Sequence, residues 1–496
     1  MQPRIGILVV AYNAAATLAR VLDRIPRDFR PRIDAILVSD DHSADSTYLV
    51  GLGYRQIDPT LPLEVVRNPR NLGYGGNQKV GYRWAIERGL DIIVMVHGDG
   101  QYAPEKLPDM VAPLERGEAD AVFGSRMLTP GAARRGGMPL YKYVGNKILT
   151  RLENAVVGAN LSEWHSGYRA YSVEALRGLP FEKNDDDFNF DTQIIVQLIE
   201  AGRRIVEIPI PTFYGDEISY VNGLKYARLV TRDVLRYRAH KMGFGTGELA
   251  FASQTYEAKG SDGSSHGQIV GWLRDRPAGR VLDLGCADGY VAQQLREAGH
   301  HVVGVDIAAA EGVKDRVDRF VQHDLDAGLP PEVEGTFDAI VAADVLEHVR
   351  RPEQILEEAH DLLAPGGVLV ASIPNFVHWY PRLRVLTGRF DYDRRGILDR
   401  THLRFFTQRS FERLAREHGW RVARRTVTGL PLEVVERGQG GDGGDAGERR
   451  EGTLRRVARR VDRVATRVMP SLFAYQLIYE LVPERAERTA RQPARA

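Results

Sequence analysis

The sequence predicts an α/β protein of two doubly wound, Rossmann-like domains, with a basic amphipathic helix near the C-terminus. Short apolar runs alternate with amphipathic helical segments in both halves of the chain, which is typical of parallel sheets covered by helices. A stretch rich in glycine and serine, 243–265, interrupts this alternation and is predicted to be a linker. With 496 residues, the chain is also too long for a single ordinary core.

These features define the predicted domain boundaries. We expect a first domain over residues 1–242 and a second over 266–483, followed by a disordered tail over 484–496. Residues 438–470 of the second domain are predicted to form an insertion, in which a glycine-rich stretch precedes the basic helix.

Composition narrows the class of protein. Hydrophobic residues make up 43% of the chain and charged residues 27%, as in globular proteins. The formal net charge of +1 gives no reason to expect nucleic-acid binding. Cys286 is the single cysteine, so no internal disulfide is expected, and neither a long apolar run nor a signal peptide is recognised. We therefore expect a cytoplasmic protein.

Polar loops follow the predicted strands of the first half, which are expected at 5–10, 35–38, 63–66 and 92–96. Since the carboxyl ends of parallel strands meet in one crevice, these loops should form one ligand site. Asp40 and Asp41 can accept hydrogen bonds from a ribose and a base edge. The glycine turn 73–76 can place a helix N-terminus against a phosphate.

Asp99 is the residue around which this site is organised. It lies on a loop with glycine on both sides, and its carboxylate can hold a divalent cation that neutralises a diphosphate leaving group. In the alternative interpretation, Asp99 only caps the helix that begins near Pro104, and the Asp40–Asp41 pair likewise caps the next helix.

Taken together, these motifs resemble family-2 glycosyltransferases of the GT-A fold, in particular the dolichol-phosphate mannose synthase branch. The likeness extends over residues 4–240. It rests on VAYN at 10–13, DDHSADST at 40–47, NLG at 71–73, GDGQ at 98–101, FGSR at 123–126, SGYRAYS at 166–172, FNFDT at 188–192 and EIPIP at 207–211.

The resemblance implies an NDP-sugar donor and a divalent cation, Mg²⁺ or Mn²⁺. Asp99 and His97 would be the metal ligands, and Asp191 lies where inverting relatives place an acidic group, so it is the candidate general base. The resemblance implies the following donor-binding residues: Asn13, Asp40, Asp41, Asn71, Gly73, Asp99, Gln101 and Arg126.

Two departures from the family pattern bear on the metal and on the acceptor. His97 replaces the first aspartate of the usual Asp-X-Asp motif, and histidine suits Mn²⁺ better than Mg²⁺. The segment 213–219 is acidic where polyprenyl-phosphate synthases are basic, which weighs against a lipid-phosphate acceptor. A sugar hydroxyl acceptor would instead need a general base.

The second half opens with a strand, 280–284, and a glycine-rich turn, 285–289. The next strand ends at Asp306, roughly twenty residues on, where a carboxylate can bind ribose hydroxyls. The glycine spacing of the turn differs from the Gly-X-Gly-X-X-Gly pattern of dinucleotide-binding domains, which argues against NAD.

These features resemble class I S-adenosylmethionine-dependent methyltransferases over residues 266–430, and to 483 if a last antiparallel strand lies at 472–479. The matching segments are VLDLGCADG at 281–289, Asp306, QHDL at 322–325, FDAIVAADVLEH at 337–348 and LAPGGVLV at 363–370. The resemblance implies S-adenosylmethionine as the cofactor, bound by Asp283, Gly285, Asp288, Gly289, Asp306, Asp324, Leu325 and Asp344.

The catalytic residue of the second domain depends on the methyl acceptor. Methyl transfer from a sulfonium requires alignment first, and a base only if the acceptor is a hydroxyl. His348 is the candidate base, and His402 is the alternative. Either histidine can instead be a hydrogen-bonded structural residue.

The basic helix at 454–468 has two interpretations. Leu454, Val457, Val461, Val464 and Val468 share one side, and arginines occupy the other. The helix either lies on an anionic membrane surface, at its inner face, or packs on the domain with its charged side in solvent.

We therefore predict a bifunctional transferase. The first domain transfers a sugar with inversion from an NDP-sugar to a glycan or lipid-linked acceptor, and the second methylates with S-adenosylmethionine, in the biosynthesis of a surface glycan or glycolipid. Two alternatives stay open: one active enzyme whose degenerate partner domain is a binding or scaffold module, and a polyprenyl-phosphate glycosyltransferase at the membrane.

Overall fold

The computed structural model describes residues 2–213, 222–245, 263–430 and 453–484, without the side chains of 453–459. Within these residues the chain forms two compact units, the first within 2–240 and the second within 241–484. Most of the predicted linker, the predicted tail after residue 484 and the glycine-rich stretch before the basic helix lie outside the described residues.

The first unit contains a seven-stranded sheet in its described part, in the order β3-β2-β1-β4-β6-β5-β7. The strands are β1 (Ile5–Ala11), β2 (Ile33–Asp40), β3 (Leu63–Arg67), β4 (Ile92–His97), β5 (Ala121–Ser125), β6 (Arg169–Ser172) and β7 (Ile205–Pro209). The four strands predicted from the sequence are confirmed. The predicted parallel sheet has one antiparallel strand among those described, β6, which pairs with β4 and β5.

Helices cover both faces of this sheet. Alternate residues of β1 face two separate cores, Ile7 and Val9 one of them, Leu8 and Val10 the other. This burial on both faces explains why the strand is apolar without interruption. The helices are α1 (Leu18–Asp23), α2 (Thr47–Ile57), α3 (Gly73–Glu87), α4 (Leu107–Glu115), α5 (Ala132–Arg135), α6 (Leu140–Val157), α7 (Val173–Arg177), α8 (Phe190–Glu200) and α9 (Gly223–Lys241).

The second unit has a sheet of the same size over its described residues, in the order β10-β9-β8-β11-β12-β14-β13. The strands are β8 (Arg280–Leu284), β9 (His301–Asp306), β10 (Arg319–Gln322), β11 (Phe337–Ala343), β12 (Leu363–Pro374), β13 (Trp420–Thr428) and β14 (Gln476–Pro483). The helices are α10 (Ser265–Arg274), α11 (Tyr290–Glu297), α12 (Val313–Arg316), α13 (Pro352–Asp361), α14 (Trp379–Leu386), α15 (Gln408–Glu417), α16 (Thr453–Val468) and α17 (Pro470–Phe473).

The predicted last strand is present, but four residues later than expected. Residues 470–473 form the short helix α17, because proline at its first position fixes a helical φ. β14 then runs antiparallel between β12 and β13. The predicted class, an α/β protein with two doubly wound domains, is confirmed.

The basic helix α16 turns its last three valines toward solvent. The side chains of Val461, Val464 and Val468 are 61%, 55% and 70% exposed. The side of the helix that packs on the unit carries Asp462, which accepts a hydrogen bond from the Leu430 amide at 3.4 Å, and the buried Thr466. None of the helices in the described ranges is long and apolar enough to cross a membrane.

Candidate active sites

The loops after β1 and β2 are joined by a short chain of hydrogen bonds. Asp40 is fully buried, accepts a hydrogen bond from the Ser43 hydroxyl and lies 3.5 Å from the Arg67 guanidinium. The Ser43 hydroxyl accepts a hydrogen bond from the Asn13 amide at 2.8 Å, and the Asn13 side-chain oxygen accepts one from the Ala44 amide at 2.9 Å. Asn13 has a φ of 50°, so this contact holds it in the left-handed region.

Asp41 anchors the turn that leads into α3. Its carboxylate accepts hydrogen bonds from the amides of Leu72 at 2.8 Å and Gly73 at 3.0 Å, and from the Asn68 side chain at 3.0 Å. Asn71 caps the same turn, since its side chain accepts a hydrogen bond from the Gly73 amide at 2.9 Å. Contact of Asn71 and Gly73 with a donor stays a prediction.

The glycines of this turn accommodate protein backbone. The Gly75 amide donates to the Asp186 carbonyl at 2.8 Å, and a Cβ on Gly75 would lie 2.5 Å from the Asp185 carbonyl oxygen. Lys79 binds the Asp186 carboxylate at 2.7 Å. The prediction that this helix N-terminus faces a phosphate is not supported here, because these amides already have protein acceptors.

His97 and Asp99 lie together at the end of β4. One carboxylate oxygen of Asp99 accepts a hydrogen bond from the Gln101 amide at 3.0 Å, and the side chain is half-buried. Burial lowers the pKa of His97, although Asp99 acts in the opposite direction, so the imidazole is neutral and can donate a lone pair to a metal. A Cβ on Gly167 would lie 2.5 Å from the His97 Nε2 atom.

This pair fits a cation of borderline character, such as Mn²⁺, better than Mg²⁺. One imidazole nitrogen and one carboxylate supply two ligands, and diphosphate oxygens can complete the set. The absence of a side chain at Gly167 lets the His97 Nε2 atom and the Tyr74 hydroxyl, which lie 3.3 Å apart, both approach its backbone.

Asp191, at the start of α8, is held by three partners. One carboxylate oxygen accepts a hydrogen bond from the Tyr74 hydroxyl at 3.0 Å, and the other accepts one from the side-chain amide nitrogen of Gln78 at 3.1 Å. The Arg169 guanidinium lies 3.6 Å away and is itself buried. Both carboxylate oxygens of Asp191 are therefore engaged by neighbouring side chains, and the residue is only 5% exposed.

Arg126 is fixed by a residue that the sequence did not single out. Its guanidinium and its backbone amide both bind the fully buried carboxylate of Glu163, and Asn146 donates to the same carboxylate at 2.8 Å. Burial alone would raise the pKa of Glu163, but Arg126 and these hydrogen bonds bring it below its usual value. The guanidinium contacts with Oε1 and the backbone contact with Oε2 of Glu163 together orient Arg126 at the end of β5.

In the second unit, the turn after β8 has the tight backbone that the sequence predicted. Gly285 and Gly289 have φ angles of 64° and 79°, and Ala287 between them has 48°. A Cβ on Gly285 would lie 2.6 Å from the Val345 side chain. Asp306, at the end of β9, accepts a hydrogen bond from the Ala287 amide at 2.9 Å and so fixes the turn.

Asp283, on β8, is the buried acid of this site. The side chain is 2% exposed, and its Oδ2 atom has no hydrogen-bond partner among the described residues. Burial, and then the negative charge of Asp306, raise its pKa to about 7. A cationic ligand would supply the missing partner, and the ammonium group of S-adenosylmethionine is such a cation.

The remaining predicted cofactor residues differ in exposure and in partners. Asp324 is exposed and accepts a hydrogen bond from the Asp326 amide at 2.9 Å, with the half-buried Leu325 between them. Asp288 lies 3.3 Å from the Arg316 guanidinium.

Asp344 is held in an unusual backbone conformation at the end of β11, with a φ of 56°. Its carboxylate accepts hydrogen bonds from Ser372 at 2.6 Å and from Gln476 at 2.7 Å. These contacts with β12 and β14 fix the start of the loop that carries His348. Such strain is kept where the surrounding structure requires it, often at a functional site.

The structure brings the two candidate histidines of the second unit together. The rings of His348 and His402 meet edge to face, with centroids 4.7 Å apart. His348 is exposed, whereas His402 is buried, and burial followed by the charge of His348 lowers the pKa of His402.

Each unit is an α/β domain with polar and acidic side chains gathered at the carboxyl ends of its strands. This arrangement is typical of domains that transfer a chemical group. The first unit matches the family model described as glycosyl transferase family 2, over residues 6–179, and the second matches the model of a methyltransferase domain, over 268–424. The chain belongs to glycosyl transferase family 2 and carries a methyltransferase domain in its second half.

Relatives are found for each half separately. The undecaprenyl-phosphate mannosyltransferase of Micrococcus luteus is 31% identical over 43% of this chain and 85% of its own length. The polyprenol monophosphomannose synthase of Mycolicibacterium smegmatis is 28% identical over 43% of this chain and 78% of its own. The ubiquinone biosynthesis O-methyltransferase of Pseudomonas aeruginosa is 30% identical over 21% of this chain and 50% of its own.

Both domains are therefore transferases, and the methyltransferase domain implies S-adenosylmethionine as its cofactor. The predicted recognition of the two families and the predicted enzyme class are confirmed. The roles assigned to individual site residues, and the domain boundaries to the residue, stay predictions.

Proposed function

We propose that the first domain transfers a sugar from a nucleoside-diphosphate sugar to a polyprenyl phosphate, with inversion at the anomeric carbon. The contacts of Asp191 carry this proposal. Because Tyr74, Gln78 and Arg169 occupy its carboxylate, Asp191 serves to position these side chains and not to remove a proton. A phosphate acceptor is already ionised at neutral pH and needs no general base.

Relatives support this choice of acceptor. Two curated relatives of the first domain are named as an undecaprenyl-phosphate mannosyltransferase and a polyprenol monophosphomannose synthase. We infer a lipid-phosphate acceptor of the same class here, although the segment 213–219 is acidic and, after residue 213, lies outside the described residues.

In this proposal, each part of the site has a defined task. Asp99 and His97 would hold the cation, which would supply positive charge to the diphosphate leaving group. The bond between the anomeric carbon and the diphosphate oxygen breaks, and its electron pair leaves with the nucleoside diphosphate. The acceptor phosphate oxygen attacks the anomeric carbon from the opposite face, so the configuration is inverted. Arg126, fixed by Glu163, attracts the negative charge of donor or acceptor. Donor contact is assigned to Asn13 and Gln101, while Asp40, Asp41, Asn71 and Gly73 hold the two turns beside the donor through the contacts described above.

The second domain is proposed to methylate a hydroxyl of the same glycan or glycolipid. Asp283 would bind the ammonium group of S-adenosylmethionine and Asp306 its ribose. The tight turn Gly285–Gly289 keeps the backbone close to the cofactor. His348 and His402 lie on loops at the end of the sheet where this turn is found.

A lipid-linked acceptor also gives α16 a role as a peripheral membrane anchor. Its exposed valines share one face, and Arg460, Arg463 and Arg467, all exposed, lie beside that face. An interfacial helix combines such an apolar face with flanking arginines that attract anionic lipid. The exposure of Val461, Val464 and Val468 favours this role, while Asp462 and Thr466 on the other side of the helix pack on the unit.

Replacing Asp99 with Asn should lower sugar transfer at least about 100-fold, because the neutral amide holds a cation far more weakly than a carboxylate does. The measurement is release of nucleoside diphosphate from a panel of donor sugars that includes mannose donors, with undecaprenyl phosphate and Mn²⁺. Asp109→Asn, at an exposed carboxylate on α4, is the matched control and should leave transfer unchanged. Equal Mn²⁺ dependence of wild type and Asp99→Asn would contradict the metal role, and transfer only to sugar hydroxyls would contradict the acceptor.

Replacing Val461, Val464 and Val468 together with Ser should reduce binding of the protein to phosphatidylglycerol vesicles at least about tenfold, because the apolar contact is lost while every arginine remains. Vesicle co-sedimentation measures this effect. Replacing Leu49 and Ile57 with Ser is the matched control, since these side chains on α2 are 64% and 81% exposed, and it should leave vesicle binding unchanged. The anchor role is wrong if the triple variant binds these vesicles as the wild type does.

A further inference from the structure

A cluster of three candidate metal ligands lies in the methyltransferase domain, apart from the sugar-transfer site. Glu347, His348 and His402 each offer one ligand atom, and these atoms all lie within 4.8 Å of one another. In the described part of the chain, no other set of three histidine, cysteine or acidic side chains meets this criterion. Glu347 and His402 are buried, and His348 is exposed, so the cluster opens to solvent on one side.

Both histidines are oriented as metal ligands usually are. The Nδ1 atom of His402 lies 3.1 Å from the Ile397 carbonyl oxygen, and that of His348 lies 3.3 Å from the Thr401 carbonyl oxygen. A carbonyl can only accept, so Nδ1 donates in both contacts and Nε2 keeps its lone pair. A backbone carbonyl that fixes the imidazole in this way is a common outer partner of histidine ligands.

The backbone around the cluster is tied together across a long sequence separation. The Glu347 carbonyl oxygen accepts hydrogen bonds from the amides of Leu403 at 2.8 Å and Arg404 at 3.0 Å. The loop after β11 and the loop that carries His402 are thus joined beside the ligand atoms. Val345, two residues before Glu347, packs on Gly285 of the proposed cofactor turn, so the cluster lies near the methyl donor.

We propose that Glu347, His348 and His402 bind one divalent transition metal ion, with Zn²⁺ as the best match, at the methyl-acceptor site. Two nitrogens and one carboxylate oxygen are the donor set of catalytic zinc sites, which keep a position open for water or substrate. Ligand atoms about 2.1 Å from a tetrahedrally coordinated metal lie about 3.4 Å apart, so binding requires ligand atoms that are now within 4.8 Å of one another to move together by at most about 1.4 Å. The exposed side of the cluster provides the open position.

This assignment rests on the proposed methylation of a hydroxyl and specifies how that hydroxyl is activated. The metal lowers the pKa of the hydroxyl that it binds, and the proton leaves to water. The oxygen lone pair then forms a bond to the methyl carbon, while the carbon–sulfur bond breaks and its electron pair goes to sulfur. The products are a methyl ether and S-adenosylhomocysteine. His348 is a metal ligand in this scheme and not the general base.

The test uses the full chain and the metal alone. We expect one equivalent of Co²⁺, added to protein freed of metal, to give visible d–d absorption bands that Zn²⁺ displaces and that Asp99→Asn, which alters the proposed sugar-transfer cation site, leaves unchanged. His348→Gln and Glu347→Gln should each weaken Co²⁺ binding at least about tenfold. His301→Gln, at an exposed histidine that starts β9, is the matched control and should bind Co²⁺ as the wild type does.

Binding of S-adenosylmethionine, measured by calorimetry without metal or acceptor, separates this proposal from the proposed function. His348 is exposed, so His348→Gln should fold and keep its S-adenosylmethionine affinity while it loses Co²⁺. No Co²⁺ bands in wild type that binds S-adenosylmethionine would overturn the metal site and leave a histidine pair that transfers protons. No S-adenosylmethionine binding in a protein that binds Co²⁺ would instead overturn the proposed methyl transfer.

Discussion

Replacing Asp283 with Asn is expected to stabilise the methyltransferase domain at pH 8 and to weaken its binding of S-adenosylmethionine. The carboxyl has a pKa of about 7 in the folded protein, raised first by burial and then by Asp306. In the unfolded chain an aspartate has a pKa of about 3.9. The folded state therefore binds the proton more tightly, and stability falls as the pH rises from about 4 to 7.

The size of this effect follows from the same two pKa values. One pKa unit is equivalent to about 1.4 kcal/mol, so ionisation of Asp283 lowers the free energy of unfolding by at most about 4 kcal/mol above pH 7. Asn has the same shape and no charge, so the variant should not show this loss between pH 5 and 8.

The same substitution should weaken the binding of S-adenosylmethionine at least about tenfold, because the ammonium group loses its ionic partner. Thermal unfolding across pH 5 to 8 and calorimetric titration measure the two effects. Asp315→Asn, at an exposed carboxylate on α12, is the control and should keep the wild-type pH slope. If the stability of the wild type and of Asp283→Asn changes equally with pH, Asp283 does not lose a proton in the folded protein between pH 5 and 8.

Replacing Arg169 with Met is expected to destabilise the glycosyltransferase domain by about 3–5 kcal/mol, as is typical when one partner of a buried ion pair is removed. Arg169 is 1% exposed and lies 3.6 Å from the Asp191 carboxylate. Its guanidinium also donates to the carbonyls of Ser166 and Trp164, both at 2.9 Å. In the variant, the two buried carbonyls would lose a hydrogen-bond donor, and the Asp191 carboxylate would lose its neighbouring cation.

Chemical denaturation of the full chain, followed by a probe in the first domain, measures this change. Arg83→Met removes an exposed ion pair with Glu182 and should change the unfolding free energy by less than about 1 kcal/mol. The double variant Arg169→Met with Asp191→Asn should be less destabilised than the sum of the two single variants, because no unpaired charge remains. Strict additivity would show that the ion pair is not the source of the effect.

The strands and the two glycine turns could be predicted because their causes are local. β1 and β4 are buried on both faces, so their sequences are uninterrupted apolar runs that stand out from the helices. β6 was not predicted as antiparallel, since its direction depends on pairing with β4 and β5 and leaves no local signal in four residues.

The sequence by itself determined the two α/β domains, the families and the positions of Asp99, Asp283 and Asp306 at strand ends, because strand periodicity and motif spacing are properties of short segments. Only the tertiary structure decided what those side chains contact. Asp191 meets Tyr74 from 117 residues away, and this contact is what the proposed positioning role of Asp191 rests on. The Glu347, His348 and His402 cluster likewise forms only when two separate loops meet. Hydrogen bonds and ion pairs over such distances depend on packing, which no local pattern encodes.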